Sequence, residues 1–384
     1  MKIAVDVRTM GSNPSGIGMY TYNFLCEFAK YPELELILIS DVDTSEQMQE
    51  MKNLEIPVYL YGKQVFRSAE VFRYFTFVKR ILNKIQPDIF WEPNNLLPKK
   101  MTGYRGKTVL TVHDIFPVTT PQYFGFVYRM YFRIMLRRSL NTVDVILYDS
   151  NFSKKEVETI YPFTRKKQHF LSYVIIKSHD QTEAEENEED KENDKKKETT
   201  KQECLKEPYF LYIGNIEQRK GCDLLLKAYE RYRMEGGHFR LLLGGAIKGK
   251  GMKEILDAAM KQIPQIEYLG YVSDEQKATY IKGCEAFLFP SKAEGFGMPL
   301  IEVMEYGKPV IARELPIFRE LIGNYICYFK INEDEEKEIS EFVELMCTAQ
   351  KKGVTVDEDA YRETLNRYNA AILGNKLVDY IKKL

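Results

Sequence analysis

The segment Ala293–Gly307, AEGFGMPLIEVMEYG, combines two carboxylates with a glycine-rich turn. Glu294 and Glu302 stand eight residues apart, and Gly295 and Gly297 between them allow a tight loop and a close approach of the backbone to a ligand. The following proline suits the first turn of a helix, which would end at a glycine. Amides at such a helix N-terminus attract an anion. A carboxylate beside them is unfavourable unless it accepts hydrogen bonds from sugar or ribose hydroxyls, so the segment predicts a phosphorylated, hydroxyl-bearing ligand.

Two adjacent basic residues could neutralise that anion. Arg219 and Lys220 lie in the turn Asn215–Gly221, which follows the apolar run Tyr209–Gly214. A guanidinium can hold a phosphate through two parallel hydrogen bonds, whereas an ammonium acts as a compact point charge. The alternative is that both residues are solvated ahead of a helix, an explanation that fits one of them better than it fits the pair.

The N-terminal half offers a second set of candidates at strand ends. The glycine loop Gly11–Gly18, GSNPSGIG, directly follows the run Lys2–Val7, a position that strengthens an otherwise weak G-x-G signal. An ordinary strand-to-helix turn is the alternative. His113 ends the run Lys107–Val112, where it could serve either catalysis or structure.

These candidates need a scaffold of alternating strands and helices. Short runs rich in Ile, Val, Leu and Phe recur along the chain between stretches of helical periodicity, and such runs fit strands buried on both faces of a parallel sheet. The alternation predicts two doubly wound α/β domains, with ligands at the carboxyl ends of the strands. The predicted strands are Lys2–Val7, Leu34–Ser40, Asp88–Glu92, Lys107–Val112, Val145–Ser150, His169–Val174, Tyr209–Gly214, Phe239–Gly244, Ile266–Leu269, Ala286–Pro290, Pro309–Ala312 and Ile326–Phe329.

A change of composition separates the two predicted domains. From Asp180 to Lys201 the chain is almost entirely Glu, Asp, Lys, Asn, Gln and Thr, which favours a disordered or solvated insert over residues 177–206. We interpret it as a tolerated surface insertion in preference to a regulatory segment, because long surface loops cost little. The N-terminal domain then covers 1–176 and the C-terminal domain 207–360. A helix over 361–384 could dock on either domain and would complete the first.

Composition excludes several classes of function. The 384 residues are 44% hydrophobic and carry a net charge of −1, so no global field draws the chain to nucleic acid or to an anionic membrane. Six cysteines form no C-x-x-C pair and suggest neither a zinc site nor a disulfide framework. The N-terminus has no signal-peptide pattern and no apolar run approaches membrane-spanning length. We therefore expect a cytoplasmic protein.

Taken in order, these motifs resemble the GT-B glycosyltransferases of family 4. The carboxylates of Ala293–Gly307 match the E-x7-E pattern, Asn215–Gly221 matches the phosphate-binding turn, and Gly270–Val272 matches a segment near the nucleotide base. The resemblance implies two Rossmann-like domains facing across a cleft that holds a sugar nucleotide. It assigns Lys220 and Arg219 to the diphosphate and Glu302 to the ribose. The implied catalytic residues are His113, Lys220 and Glu294, with His113 and Glu294 at the donor sugar, and the implied donor-binding residues are Gly16, Gly18, Arg219, Lys220, Val272, Glu294, Gly295, Phe296, Gly297, Met298, Pro299, Leu300 and Glu302.

The resemblance also implies a mechanism. Retention of configuration is expected, with no cofactor and no metal. No catalytic pair of carboxylates is needed, because the leaving diphosphate itself helps to deprotonate the acceptor. Asp41-Val42-Asp43 is a D-x-D that binds metal in another glycosyltransferase fold, but here it is expected to be surface carboxylates that end a strand. Relatives of the segment Ser15–Tyr20 often use GDP-mannose, which favours that donor slightly while UDP-sugars remain open.

The expected acceptor is a glycan or a glycolipid in polysaccharide or glycoconjugate biosynthesis. Asn95 and Ser150, which follow predicted strands, are acceptor-side candidates, although Ser150 also suits a helix N-cap. The stretches Arg67–Lys84 and Phe126–Arg138 mix aromatic residues with arginines, which fits either peripheral membrane contact or buried helices with snorkelling arginines.

Two other functions remain open. A phosphorylase or a sugar-nucleotide epimerase can share this fold, although an epimerase should need catalytic acids that the motifs do not supply. A catalytically silent partner subunit could bind glycan or nucleotide alone. The joint presence of His113, Lys220, Glu294 and Glu302 counts against the silent subunit.

Overall fold

The computed structural model describes residues 1–14, 16–65, 68–99, 101–175 and 207–384. The chain divides into two compact units, Met1–Lys177 with Tyr368–Leu384, and Ser178–Arg367. The predicted insert, residues 177–206, lies outside the described residues. No described helix is both long and apolar enough to cross a membrane.

The first unit is built on a seven-stranded parallel sheet with the strand order β3-β2-β1-β4-β5-β6-β7. Its strands are β1 (Lys2–Asp6), β2 (Glu35–Ser40), β3 (Val58–Leu60), β4 (Ile89–Glu92), β5 (Lys107–Val112), β6 (Val145–Tyr148) and β7 (Gln168–Leu171). Its helices are α1 (Gly16–Phe28), α2 (Glu46–Asn53), α3 (Ser68–Ile85), α4 (Phe116–Thr119), α5 (Phe126–Thr142) and α6 (Asn151–Ile160), with short 3₁₀ turns at Pro121–Tyr123 and Pro162–Lys166.

The second unit repeats the plan with six parallel strands in the order β10-β9-β8-β11-β12-β13. The strands are β8 (Tyr209–Ile213), β9 (Arg240–Gly244), β10 (Ile266–Gly270), β11 (Ala286–Phe289), β12 (Val310–Arg313) and β13 (Cys327–Phe329). After a 3₁₀ turn at Gln218–Lys220, the helices are α7 (Cys222–Met234), α8 (Met252–Gln262), α9 (Asp274–Gly283), α10 (Met298–Glu305), α11 (Pro316–Leu321), α12 (Glu335–Lys352) and α13 (Glu358–Arg367).

The predicted doubly wound α/β architecture is confirmed in both units. Each of the twelve predicted strands occurs, and most of them are largely buried, as apolar runs in a parallel sheet should be. The sequence missed β3, which has only three residues and is partly exposed at the edge of the first sheet. A short edge strand of this kind needs no continuous apolar run.

The C-terminal segment differs from the single predicted helix over 361–384. The helix is interrupted after α13, and a last helix, α14 (Ala370–Ile381), follows. At its start the Asn369 side chain accepts a hydrogen bond from the Ile372 amide at 3.2 Å. This N-cap starts a new helix in the first unit, while α13 belongs to the second. Gly374 of α14 packs so tightly on Glu27 of α1 that a Cβ there would lie 2.7 Å from the glutamate side chain.

Each sheet contains one point at which the strand order reverses. In the first unit β1 lies between β2 and β4, and in the second unit β8 lies between β9 and β11. The loops that leave the carboxyl ends of the two central strands diverge at such a point and open a crevice where ligands of doubly wound sheets bind. We call the β1–β4 position the first switch point and the β8–β11 position the second.

Candidate functional site

The second switch point is formed by two loops that approach unusually closely. The turn after β8 ends at Gly221, whose φ of 70° is left-handed and whose Cβ, if present, would lie 2.0 Å from the Pro290 carbonyl oxygen. The Lys292 amide donates to the Arg219 carbonyl at 2.9 Å and joins the same two loops. Only glycine fits at position 221, and it brings the basic turn against the loop that follows β11.

Arg219 is committed to holding these loops together. Its guanidinium donates to the Ala293 carbonyl at 3.0 Å and to the Glu217 carboxylate at 2.7 Å. Both partners are on the protein, so the structure gives Arg219 a bracing contact between the loops. A diphosphate contact, as the sequence predicted, would have to be added to these bonds.

Lys220 and Glu294, which the sequence placed at the diphosphate and at the sugar, contact each other directly. The Lys220 ammonium lies 2.6 and 2.7 Å from the two carboxylate oxygens of Glu294. The Ser291 hydroxyl donates to the same carboxylate at 2.6 Å, and Glu294 is only 6% exposed. An ammonium has three donors, so this pair leaves one directed elsewhere. The sequence missed Ser291, whose position before A-E-G-F-G was the available signal.

The glycine loop ends in a helix N-terminus, as predicted. Gly297 has a φ of 98° and immediately precedes α10, which carries a proline in its first turn. The amides of Gly295, Gly297 and Met298 donate to no described residue, and together with the helix dipole they form an anion-attracting surface. The side chains of Phe296 and Leu300 are buried and anchor the loop, so the prediction that they and Pro299 belong to the donor site could hold only through the backbone that they position.

Glu302 is paired with a residue that the sequence did not single out. Its carboxylate lies 2.7 Å from the ammonium of Lys277, on α9, which is also 3.7 Å from Asp274. Burial lowers the pKa of Lys277, but the two carboxylates outweigh it and raise the pKa overall. The pair fixes the Glu302 carboxylate and reduces its repulsion of a nearby phosphate. Sequence spacing gave no signal for a contact between residues 25 positions apart.

The segment after β10 supplies the last predicted donor contact of this unit. Gly270 has a φ of 72°, and Tyr271, which follows it, is almost fully exposed. Val272 packs over the backbone of Gly244, where a Cβ would lie 2.7 Å from its methyl group. This packing holds the exposed segment at the carboxyl edge of the sheet.

In the first unit the predicted glycine loop is only partly a loop. Gly16 is the exposed first residue of α1, whereas Gly18 lies inside that helix with its Cα against the Thr9 carbonyl, where a Cβ would come within 2.3 Å. The structure therefore explains Gly18 by close packing of helix on loop. Ser15 lies outside the described residues.

His113 is buried, and both of its ring nitrogens are engaged. Nε2 lies 2.9 Å from the Pro93 carbonyl, which can only accept, so Nε2 carries a proton. Nδ1 lies 3.2 Å from the Asp149 carboxyl group, whose pKa is raised by burial although the hydrogen bond to His113 lowers it. The ring also meets Tyr20 edge to face, with ring centres 4.7 Å apart. Through its two nitrogens His113 links the ends of β4, β5 and β6, and neither nitrogen is left for a ligand in this arrangement.

The two acceptor-side candidates are also occupied. The Asn95 side chain accepts from the His113 amide at 3.1 Å, at a residue with a left-handed φ of 53°. Ser150 is fully buried and caps α6 by accepting from the Ser153 amide at 3.0 Å, which confirms its N-cap role. In this arrangement both side chains stabilise the loops around His113.

The interpretation of Asp41-Val42-Asp43 as surface carboxylates is wrong for Asp41. Asp41 is buried and accepts hydrogen bonds from the amides of Val42 and Val65, both at 2.8 Å, because it closes the loop after β2. Asp43 pairs with Lys52. Across the described part of the chain, no group of three or more His, Cys, Asp or Glu side chains is placed to hold a metal ion.

The second switch point can therefore bind an anion and hydroxyl groups side by side. Backbone amides and a lysine face the anion, and two carboxylates fixed by lysines can accept hydroxyl hydrogens. The first switch point lacks this cationic loop chemistry in its described residues and carries buried acids and an arginine instead.

Two family models match the chain, one over each half. The model described as Glycosyltransferase Family 4 matches residues 14–172, and the model described as Glycosyl transferases group 1 matches residues 190–363. Together the two matches span most of the sequence.

Curated relatives include enzymes of O-antigen assembly. The chain is 28% identical over 239 residues to the O-antigen chain mannosyltransferase B of Escherichia coli, a match that covers 62% of this chain and 59% of the relative. It is 23% identical over 342 residues to the O-antigen chain mannosyltransferase RfbU of Salmonella typhimurium, covering 87% of each. It is 33% identical to the E. coli serotype-specific mannosyltransferase WbdA over 126 residues, which are 15% of that protein. The chain thus spans less than two thirds of the length of some of these relatives.

Solved structures share the fold over the full length. The Anabaena protein HepE, in complex with UDP and glucose, superposes with a TM-score of 0.72 at 16% identity and full coverage of both chains. WaaG, a glycosyltransferase involved in lipopolysaccharide biosynthesis, gives a TM-score of 0.69 at 14% identity and 99% coverage of each chain. At these identities the likeness shows the fold alone.

Proposed function

We propose that this chain, which belongs to glycosyltransferase family 4 and to the group 1 glycosyl transferases, moves a sugar from a nucleotide-sugar donor to a glycan or lipid-linked acceptor. The names of its relatives support a role in polysaccharide assembly and favour mannose, hence GDP-mannose, as the transferred sugar. The UDP complexes of structural neighbours keep a UDP-sugar as the second possibility.

The observation that carries the proposal is the arrangement at the second switch point. Amides at the α10 N-terminus and the third donor of Lys220 would hold the diphosphate, while Glu294 would accept from the sugar and Glu302 from the ribose. Negative charge grows on the diphosphate as the glycosidic bond breaks. Groups already fixed around it, such as Lys220 held by Glu294, stabilise that charge without reorganisation.

We propose retention of configuration without a metal ion. The acceptor hydroxyl would attack from the face that the diphosphate leaves, and the diphosphate would take its proton. The charge would be met by Lys220, Arg219 and the helix N-terminus instead of a divalent cation. The commitment of Asp41 to backbone amides supports this, because the first carboxylate of the D-x-D at residues 41–43 is used in a turn.

Peripheral contact with the inner face of a membrane is part of the proposal, and α5 supports it. Three large apolar side chains of this helix are exposed to solvent, Phe126 at 71%, Val127 at 80% and Ile134 at 62%. Such a group of exposed apolar side chains is typical of an interaction surface. Arg133 and Arg137 are exposed beside them, and α5 has no acidic residue. Apolar side chains flanked by arginines fit the headgroup region of an anionic bilayer.

A vesicle assay tests the membrane contact. The chain should bind phosphatidylglycerol vesicles at low salt and dissociate as salt rises. Ile134→Asp should weaken binding, whereas Ile372→Asp, at an exposed isoleucine of α14, should not. Equal binding by both variants would remove α5 from the proposal.

A panel of sugar nucleotides tests the enzymatic function. Release of nucleoside diphosphate from GDP-mannose, UDP-glucose and UDP-galactose should identify the donor, and NMR of the product anomer should show retention. A chain that binds GDP or UDP without turning over any donor would be a silent binding subunit. Interconversion of the sugar at an intact nucleotide would indicate an epimerase.

A further inference from the structure

Two buried acids end the central strands of the first unit. Asp6 closes β1 and Glu92 closes the neighbouring β4, and they are 2% and 1% exposed. The pairing of Val5 with Trp91 sets the two acids next to each other across the first switch point. One oxygen of each, Asp6 Oδ2 and Glu92 Oε2, is buried and receives no hydrogen bond from a described donor. Two adjacent buried carboxylates share a proton instead of both ionising.

The titration of the pair agrees with this geometry. Burial raises the pKa of Asp6, and burial with the nearby Asp6 charge raises that of Glu92 well above its ordinary value. The larger rise favours Glu92 as the carboxyl that holds the shared proton. The Arg8 guanidinium and a hydrogen bond from the Tyr74 hydroxyl, at 2.9 Å, offset part of the cost of burying a charge on Asp6.

Arg8 lies beside the pair with its donors unused. Its amide donates to Asp6 Oδ1 at 3.0 Å, and its guanidinium stacks over Tyr74 and Phe75, 5.2 and 5.6 Å from the ring centres. No described residue accepts a hydrogen bond from the five guanidinium N–H groups. The side chain is only partly buried, so its outer edge is open to a ligand.

A further polar group lies in the neighbourhood of Arg8 without a hydrogen-bond partner among the described residues. The Tyr131 hydroxyl, from α5, is buried and makes no hydrogen bond with a described residue. Burial raises its pKa, and Arg8 is near enough to lower it. Buried polar atoms are almost always paired, so the unpaired Tyr131 hydroxyl near the partly exposed Arg8 marks a place that something polar fills.

The charge of this cluster selects the chemistry of that ligand. With one proton shared by the acids, one carboxylate of the pair balances the guanidinium, and the buried Asp41 carboxylate also acts on Arg8, so the site carries no excess positive charge. A phosphate gains little there, in contrast to the second switch point. A neutral hydroxyl group fits, because its oxygen accepts from the guanidinium while its hydrogen is donated to the phenol oxygen, and the aromatic walls suit the faces of a sugar ring.

We propose that Arg8 is a binding residue for a neutral, hydroxyl-rich acceptor sugar at the first switch point, positioned by the Asp6–Glu92 pair. The inference rests on the proposed function and names residues for its acceptor side. It replaces Ser150, which caps a helix, and Asn95, whose side-chain oxygen accepts from the His113 amide, by an arginine whose guanidinium donates to no described residue.

Saturation-transfer NMR with methyl α-D-mannopyranoside on the full chain tests the proposal. The wild-type protein should give a saturation signal, and Arg8→Met should lower it at least tenfold. Arg80→Met is the matched control, because Arg80 also lies over an aromatic ring, Phe77 at 5.7 Å, but on an exposed surface; it should keep the signal. Loss of the signal in both variants, or in neither, would overturn the role of Arg8.

A second measurement uses the wild-type chain alone, in case Arg8→Met folds poorly. Methyl α-D-mannopyranoside should protect Arg8 from phenylglyoxal, measured by peptide mass spectrometry, and should leave Arg80 unprotected. Equal modification of Arg8 with and without the sugar would contradict the inference. Calorimetric titration with GDP and UDP separates the two proposals: nucleotide binding without sugar binding defeats this inference alone, whereas absence of nucleotide binding defeats the proposed function.

Discussion

The two switch points occupy the same place in two similar sheets and carry opposite chemistry. At the second, Gly221 and Gly297 bring backbone amides and Lys220 to the carboxyl edge of the sheet, an arrangement that suits an anion. At the first, the strands end in Asp6 and Glu92, whose charges are buried and nearly cancelled by a shared proton and an arginine. The fold provides a crevice in each case, and a few residues after each strand decide whether it suits phosphate or hydroxyl groups.

Substitution of Lys220 tests the contrast between the two switch points most directly. Lys220→Ala should lower kcat by about 10²-fold, more than it raises the donor KM, because charge on the diphosphate is greatest in the transition state. The measurement is steady-state kinetics with the donor found in the panel. Lys227→Ala, which removes an exposed lysine of α7 paired with Glu335, should change neither parameter.

The Lys220 variant also leaves Glu294 as a buried carboxylate without its cation, which could lower activity through misfolding. A thermal melt of Lys220→Ala and of the double variant Lys220→Ala/Glu294→Gln separates the two effects. Wild-type kcat and KM in a folded Lys220→Ala protein would place the diphosphate elsewhere and remove the contrast between the switch points.

The next effect concerns His113, for which the sequence and the structure give different expectations. The resemblance predicts that His113→Ala impairs transfer while nucleotide still binds. The structure adds a loss of stability of about 1–3 kcal/mol, because Asp149 and the Pro93 carbonyl would be left without their hydrogen-bond partner. Urea unfolding measures it, with His169→Ala as the control, since the half-buried His169 ring has one side-chain hydrogen bond among the described groups, to the Lys167 carbonyl, and an edge contact with Tyr148.

These two expectations for His113 are separable. A variant that unfolds as readily as wild type yet transfers no sugar would favour a ring that turns toward the substrate. Reduced stability with near-normal transfer in the remaining folded protein would make His113 a structural link between strand ends.

Glu302 should give a smaller effect confined to binding. Glu302→Gln should weaken nucleotide affinity by about tenfold, the scale of a lost charge-assisted hydrogen bond, and leave kcat nearly unchanged. Lys277→Met should reproduce part of this loss, because Lys277 orients the carboxylate. Titration with the nucleoside diphosphate measures both, with the exposed Glu344→Gln as control. Unchanged affinity in Glu302→Gln would remove the ribose contact from the site.

The contrast between the switch points was only half visible in the sequence. Gly297, Lys220 and Glu294 fall in short motifs whose local geometry follows from residue type, so the second site could be predicted before the fold was known. Asp6 and Glu92 lie 86 residues apart and become neighbours only because β1 pairs with β4. Apolar runs predict that strands exist but not which ones are adjacent.

The same limit explains the other differences. The Lys277–Glu302 and Lys220–Glu294 pairs depend on how loops from different strands meet, which composition and periodicity do not encode. Asp41 looked like a surface residue because its partners, the amides of Val42 and Val65, are backbone groups that carry no residue signature. His113 was placed at the correct strand end, but its contacts with Pro93 and Asp149 come from neighbouring strands.

The smallest effect, and the sharpest test of the first switch point, is the pH dependence of stability. A folded-state pKa of Glu92 well above its ordinary 4.5 means that the folded chain keeps a proton that the unfolded chain has lost. The free energy of unfolding should therefore fall as pH rises above about 4.5 toward the folded pKa.

Glu92→Gln cannot ionise, and its amide can donate to Asp6 as the protonated acid does, so it should flatten this fall. At pH 5 the variant should stay within about 0.5–1 kcal/mol of wild type, the scale of one exchanged hydrogen bond. Urea unfolding from pH 5 to 9 measures the slope, with Glu35→Gln, at an exposed glutamate of β2, as the control. If wild type and Glu92→Gln lose stability in parallel over that range, the acids do not share a proton and the charge balance argued for the first switch point fails.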